Sequence, residues 1–249
     1  MISAARRSLA AALDVIWPPS APITGERVHA PGALGAASWS RLPFIAGPVC
    51  ERCGTPRGSW LDDEVCLDCT MCPPAWGRAR AALAYGPVSR DLVLALKRAG
   101  RRDSLPAFAG WMAQAAPFAA EADLIAPIPL HWTRLAMRGF NQSVWLAAAL
   151  ARRIGRPLAP DLLTRRRRTP SQAGLGPEAR YTNVAGAFAA SAQARERKVV
   201  LVDDVLTTGA TAAACAQALM GAEAASVDVV TLARVVHHGP VESDGAAPI

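Results

Sequence analysis

Asp203 and Asp204 stand side by side at the end of an apolar run, and a loop of small and hydroxyl residues follows: Val205, Leu206, Thr207, Thr208, Gly209, Ala210 and Thr211. Two adjacent carboxylates repel an anion, so their chemistry is with sugar hydroxyls or a divalent cation. The loop has the opposite character. It opens an alanine-rich helical pattern over 212–220, and a helix N-terminus directs backbone N–H groups and the positive end of its dipole at one spot. Thr207, Thr208 and Thr211 add hydroxyl donors. A phosphate fits the loop, and a sugar attached to that phosphate, or a metal, fits the acids. Upstream, Ile128, Pro129 and Leu130 lead through His131 and Trp132 to Arg134, Arg138 and Gly139. A loop with two arginines and a glycine grips an anion by backbone and guanidinium. The same residues also read as a basic loop with a helix start, Asn141 and Gln142 merely capping it.

A third group is made of cysteines. Five of the six fall between Cys50 and Cys72. Cys50 and Cys53 form one CxxC knuckle and Cys66 and Cys69 a second, twelve residues on. That spacing reads as a zinc ribbon, four thiolates around one tetrahedral ion, with Cys72 spare or replacing Cys69. With every position filled by thiolate the zinc is structural, because no position is open for water.

The elements that must position these groups follow from periodicity. Residues 199–202 are a continuous β-branched run leading into the acids, which reads as a strand buried on both faces of a parallel sheet. In such sheets ligands lie beyond the carboxyl ends of the strands. Further strands are expected at 82–85, 124–129 and 226–236. Helices are expected from a cap at Ser89 to about Gly100, over 106–122, and over 139–154. The stretch 158–181 is polar and basic, with Arg165 to Arg168 inside it. Alternation of strands and helices predicts an α/β fold with a mainly parallel sheet, preceded by a small cysteine-rich module. The expected domains are 1–75 for an N-terminal helix and ribbon, 76–236 for the α/β domain starting near Trp76, and a disordered tail at 237–249.

A net charge of +7 biases the chain toward phosphate-bearing partners. No run of about 20 apolar residues is present, so no membrane span is expected. Arg6 and Arg7 ahead of Ser8 to Leu13 imitate a signal peptide, but Asp14 interrupts the run and Trp17-Pro18-Pro19 replaces a cleavage site. The stretch reads as an amphipathic helix over 3–16 of a cytoplasmic protein.

The segment VVLVDDVLTTGAT closely resembles the sequence by which type I phosphoribosyltransferases bind 5-phosphoribosyl-1-pyrophosphate (PRPP). The resemblance implies that Asp203 and Asp204 hold the ribose hydroxyls, that Val205 to Thr211 hold the 5-phosphate, and that Ile128, Pro129, Leu130, Arg134 and Arg138 belong to a pyrophosphate loop. It places Gln172 and Arg180 in a mobile flap and implies magnesium bound with PRPP. Together with the paired CxxC knuckles, the PIPL and RGFNQ segments and TPSQAGL, the chain resembles the competence protein ComF family. That family joins a zinc module to a phosphoribosyltransferase-like domain and is tied to handling of incoming single-stranded DNA. One departure stands out: the family has a further cysteine pair soon after the first helix, where this chain has Ser20-Ala21-Pro22-Ile23 and no cysteine before Cys50. Half of a double ribbon is absent. Two functions stay open, a phosphoribosyltransferase acting on PRPP, and a single-stranded-DNA-binding factor with PRPP as a regulatory or vestigial ligand. In the second, Lys97, Arg101, Arg102, Arg134, Arg138 and Arg165 to Arg168 would contact backbone phosphates, with Trp132 or Phe140 stacking on bases. The acceptor and the oligomeric state are not written in the sequence.

Overall fold

The computed structural model describes residues 39–57, 64–99, 102–167 and 177–236. The expected N-terminal helix, Gln172 and most of its flap, Arg101, Arg168 and the tail lie outside the described residues. Within them the order is α1 (Leu67–Met71), β1 (Ala79–Ala84), α2 (Pro87–Ala99), α3 (Leu105–Ala115), a 3-10 turn (Pro117–Glu121) and β2 (Leu124–Pro127). Then come α4 (Trp132–Arg138), α5 (Gln142–Ile154), β3 (Leu163–Arg165), α6 (Pro177–Val184), β4 (Phe188–Ala190), β5 (Lys198–Leu206), α7 (Ala210–Gly221) and β6 (Ser226–Arg234).

Four parallel strands form one sheet in the order β1-β6-β5-β2. β3 and β4 form a separate antiparallel pair. Apolar side chains cover both faces of the sheet. Val200 and Val202 pack with Phe108, Met112, Leu146 and Leu150 on one side. Val199 and Leu201 pack with Cys215 and Leu219 on the other. Burial on both faces is why β5 is apolar at each successive position from Val199 to Val202 rather than at alternate ones. The α/β class with a mainly parallel sheet and a cysteine-rich module at its N-terminal side is therefore the observed architecture.

Several boundaries differ from the sequence expectation. The helix expected over 106–122 ends at Ala115, because Pro117 cannot continue the hydrogen-bond ladder and restarts the chain as a 3-10 turn. Ser89 is not the cap of α2, which begins at Pro87. Its hydroxyl accepts from Gly86 N–H at 2.8 Å and donates to the Ala84 carbonyl at 2.8 Å, closing the turn between β1 and α2. Residues 132–138 are a helix, where a loop was expected. Gly139 ends it in the left-handed region, φ 75°, and Asn141 starts α5 by accepting from Ser143 N–H. β5 runs through the acid pair to Leu206, so the loop proper is only Thr207 to Gly209.

Candidate functional site

The carboxyl end of β5, the first turn of α7 and the start of α5 meet at one place. Asp203 borders a cleft lined also by Ile128, Val205, Leu206, Thr207, Gly209, Thr211, Ala212 and Thr231. Residues of the expected phosphate loop, one acid and one residue of the expected pyrophosphate loop are thus together. Gly209 adopts φ 81°, the left-handed conformation that lets the chain turn from the strand into α7. The first-turn N–H groups of α7 have no carbonyl four residues behind them, which is what an anion needs. Ala210 N–H reaches only the Thr208 hydroxyl, at 3.5 Å.

The two acids are held differently. Successive residues of a strand point to opposite sides. Asp204 is buried and pairs with Lys97 Nζ at 2.7 Å, and Gln142 Nε2 donates to it at 3.3 Å. Asp203 accepts from Ser143 Oγ at 2.7 Å and from Asp204 N–H at 2.9 Å. Burial and the charge of Asp204 push Asp203 up to about 7, against the lowering effect of the Ser143 hydrogen bond. A carboxyl raised by a like charge is one that a cation or hydroxyl donors would stabilise in its ionised form. The residues therefore fit a ligand bringing either.

Sequence reasoning missed Lys97, Ser143, Thr231 and the role of Gln142. Asn141 and Gln142 read as caps, and Asn141 is one. Its Nδ2 also donates to the Ile128 carbonyl at 3.1 Å, tying the two loops together. Gln142 instead reaches the acid pair. The legible signal was the position of these polar residues at the start of a helix on the sheet's carboxyl edge. Lys97 was expected on a basic outer face; its ammonium is turned inward onto Asp204.

Of the described part of the Arg165–Arg168 run, Arg165 is half-buried at the end of β3, while Arg166 and Arg167 lie beyond the strand and are exposed. Arg165 lies in β3 over the Phe188 ring, 5.2 Å from its centroid, and Arg167 donates to the carbonyls of Asn183 and Ala185. Arg102 lies over Trp145 at 4.2 Å, and Phe140 stacks on the same indole. Arg134 and Arg138 belong to α4, and Arg180 to α6, which carries the described end of the expected flap. Trp132 is exposed.

The four cysteine sulfurs of Cys50, Cys53, Cys66 and Cys69 lie within 4.8 Å of one another, and Cys53 and Cys66 are 3.7 Å apart. Tetrahedral zinc with Zn–S bonds of about 2.3 Å spaces sulfurs by about that distance. Cys53 and Cys66 N–H groups point at Cys50 Sγ. Burial raises the Cys50 thiol, but these donors outweigh it and bring it down to about 6. Burial, together with charge on Cys53, pushes Cys66 and Cys69 up. Four clustered sulfurs, two buried and two half-buried, need a cation to stand together as thiolates, so the donor set fits one structural zinc. Cys72, the spare, is exposed and outside this cluster.

The chain matches the double zinc ribbon domain over residues 12–70 and the phosphoribosyl transferase domain over 141–246. It is 34% identical over 194 residues to the DNA utilization protein YhgH of Salmonella typhi, covering 76% of this chain and 85% of that one. The chain belongs to the ComF family of competence proteins. Competence protein F of Haemophilus influenzae is 37% identical over 92 residues, 36% of this chain and 40% of that one. Competence protein ComFC of Bacillus subtilis is 27% identical over 208 residues, 78% and 81% of the two chains. Within the ComF family this chain carries a double-ribbon match whose upstream part, before Cys50, has no cysteine.

Proposed function

We propose that this ComF-family protein binds Mg-PRPP, or a closely related phosphoribosyl ligand, in the cleft at the end of β5, as part of DNA handling in the cytoplasm. The observation that carries this is the convergence of Asp203 with the Thr207–Thr211 turn on one cleft at the carboxyl edge of the sheet. The 5-phosphate lies on the N-terminus of α7, with the threonine hydroxyls as added donors. The ribose hydroxyls donate to Asp203, and Asp204, fixed by Lys97 and Gln142, supplies the negative field that favours donors there. The pyrophosphate extends toward Ile128, Pro129 and Leu130 and the helix bearing Arg134 and Arg138. Magnesium supplies positive charge to that pyrophosphate. Where an acceptor is present, pyrophosphate leaves C1 through an oxocarbenium-like state, and the protein's part is positioning and charge stabilisation.

The DNA-binding alternative loses Lys97, whose charge is paired with Asp204. Arg167 donates to backbone carbonyls and Arg102 and Arg165 lie on aromatic rings, contacts that orient these guanidinium groups and leave their charge in place. Titration with Mg-PRPP and with ribose 5-phosphate tests the main reading. PRPP is expected to bind more tightly, because it adds the pyrophosphate contacts. Equal affinity would remove the pyrophosphate loop from the account, and no binding of either would remove the site. A screen of acceptors for pyrophosphate release then separates turnover from binding alone.

A further inference from the structure

The outer side of the phosphate loop is covered by the zinc ribbon. Trp76 is 4% exposed, and its indole lies against Gly209 so closely that a Cβ there would sit 2.5 Å from Cη2. Trp76 Nε1 donates to the carbonyl of Arg52, between the two cysteines of the first knuckle, at 3.2 Å. That knuckle is gripped at four consecutive carbonyls. Arg80 donates to Cys50 and Glu51, Ala79 N–H to Arg52, and Arg234 to Cys53. Gly54, which turns the knuckle, is pressed onto the Ala79 carbonyl, where a Cβ would come within 2.4 Å. On the other flank Tyr181 Oη donates to the Thr208 carbonyl at 2.8 Å. A cleft between ribbon and loop is lined by Cys53, Cys69, Trp76, Tyr181, Thr207 and Thr208, among others.

We infer that Trp76 is a positioning residue that couples metal occupancy of the ribbon to the shape of the phosphate loop. Zinc on Cys50 and Cys53 fixes the knuckle, the Arg52 carbonyl fixes the indole, and the indole fixes Gly209 in the one conformation that aims the α7 amides at a phosphate. The chain of contacts is continuous and each step is a packed or hydrogen-bonded pair. Coupling between two binding sites is reciprocal, so a phosphoribosyl ligand in turn tightens zinc. The ligand half of this rests on the function proposed above; the loop half does not.

The test uses the full-length zinc-loaded protein and reads amide hydrogen exchange in the segment 207–213, without ligand. Chelation of zinc is expected to speed exchange there by about fivefold or more, the lower end of ordinary coupling, with α3 unchanged. In Trp76→Ala the segment is expected to exchange fast with one zinc still bound, and chelation should add nothing. Trp76→Phe keeps an aromatic ring in the pocket but loses both the bond to Arg52 and the outer indole atoms Cη2, Cζ3 and Cζ2 that meet Gly209, so loop exchange should be faster than in wild type and indifferent to zinc. A purely structural tryptophan would show no such loss of zinc response in the Phe variant. Wild-type loop exchange that ignores chelation overturns the inference, as does a Phe variant that responds to zinc as wild type does. If the Ala variant fails to fold, the Phe variant decides alone. The second arm titrates Mg-PRPP into zinc-loaded and chelated protein, and weaker binding after chelation is expected. Absence of PRPP binding to the loaded protein, with the exchange result intact, would remove the proposed ligand and leave the coupling standing.

Discussion

Burial and the neighbouring Asp204 raise Asp203 to about 7, so near neutral pH its carboxyl is divided between charged and neutral forms. In an unfolded chain the group titrates near 4. Between those values the folded protein holds a proton that the unfolded chain has released, so this group makes stability fall as pH rises from about 4 to about 7. Asp203→Asn removes the titration while keeping an oxygen for Ser143. Its melting temperature should exceed that of wild type, by more at pH 8 than at pH 5. Thermal denaturation at the two pH values checks this, and an equal shift at both would mean that Asp203 is not the raised group. Ligand binding runs the other way. Sugar hydroxyls and a cation favour the ionised carboxylate, so Mg-PRPP should bind more tightly at pH 8 than at pH 6 and release a proton. Titration in buffers of different ionisation enthalpy reads that proton directly.

At the scale of elements, the turn from β5 into α7 depends on Gly209. A side chain there meets both a left-handed backbone, φ 81°, and the Trp76 ring. The backbone alone costs about 1–2 kcal/mol, so Gly209→Ala should lose at least that in chemical denaturation. The penalty should shrink in a Trp76→Ala background, where the clash is gone. This turn was the most readable part of the sequence, because a strand buried on both faces, an acid pair and a hydroxyl loop each impose a distinct residue type. Its limits were less readable. Val205 and Leu206 belong to the strand because they still pair with β6 and pack on the two cores, and nothing in their types marks that. Residues 132–138 gave no clear period, yet they fold as a helix between an N-cap at His131 and the glycine stop at Gly139. Lys97 was read as surface because it neighbours other basic residues. Only the packing of α2 shows that its ammonium meets Asp204, 107 residues away in sequence. Contacts of that separation leave no local trace.

At the scale of the whole molecule, a cysteine module and a parallel α/β domain meet at the turn from β5 into α7. The ribbon should carry one zinc per chain, and Cys50→Ser should lose it, since Cys50 is the buried thiol on which two N–H donors converge. Metal analysis of purified protein checks the stoichiometry. A metal-free wild type that melts as cooperatively as a metal-loaded one would mean that the ribbon holds without zinc. None of the described helices is long and apolar enough to cross a membrane. The central claim is that the sheet's carboxyl edge is a phosphoribosyl site built on Asp203. Calorimetric titration of zinc-loaded wild type and of Asp203→Asn with Mg-PRPP tests it most directly. The account predicts one saturable site in wild type and a loss of about tenfold or more in the variant, since a charge-assisted hydrogen bond contributes roughly 1.5–3 kcal/mol. Equal affinity in the two proteins, with the fold of the variant intact, would contradict it.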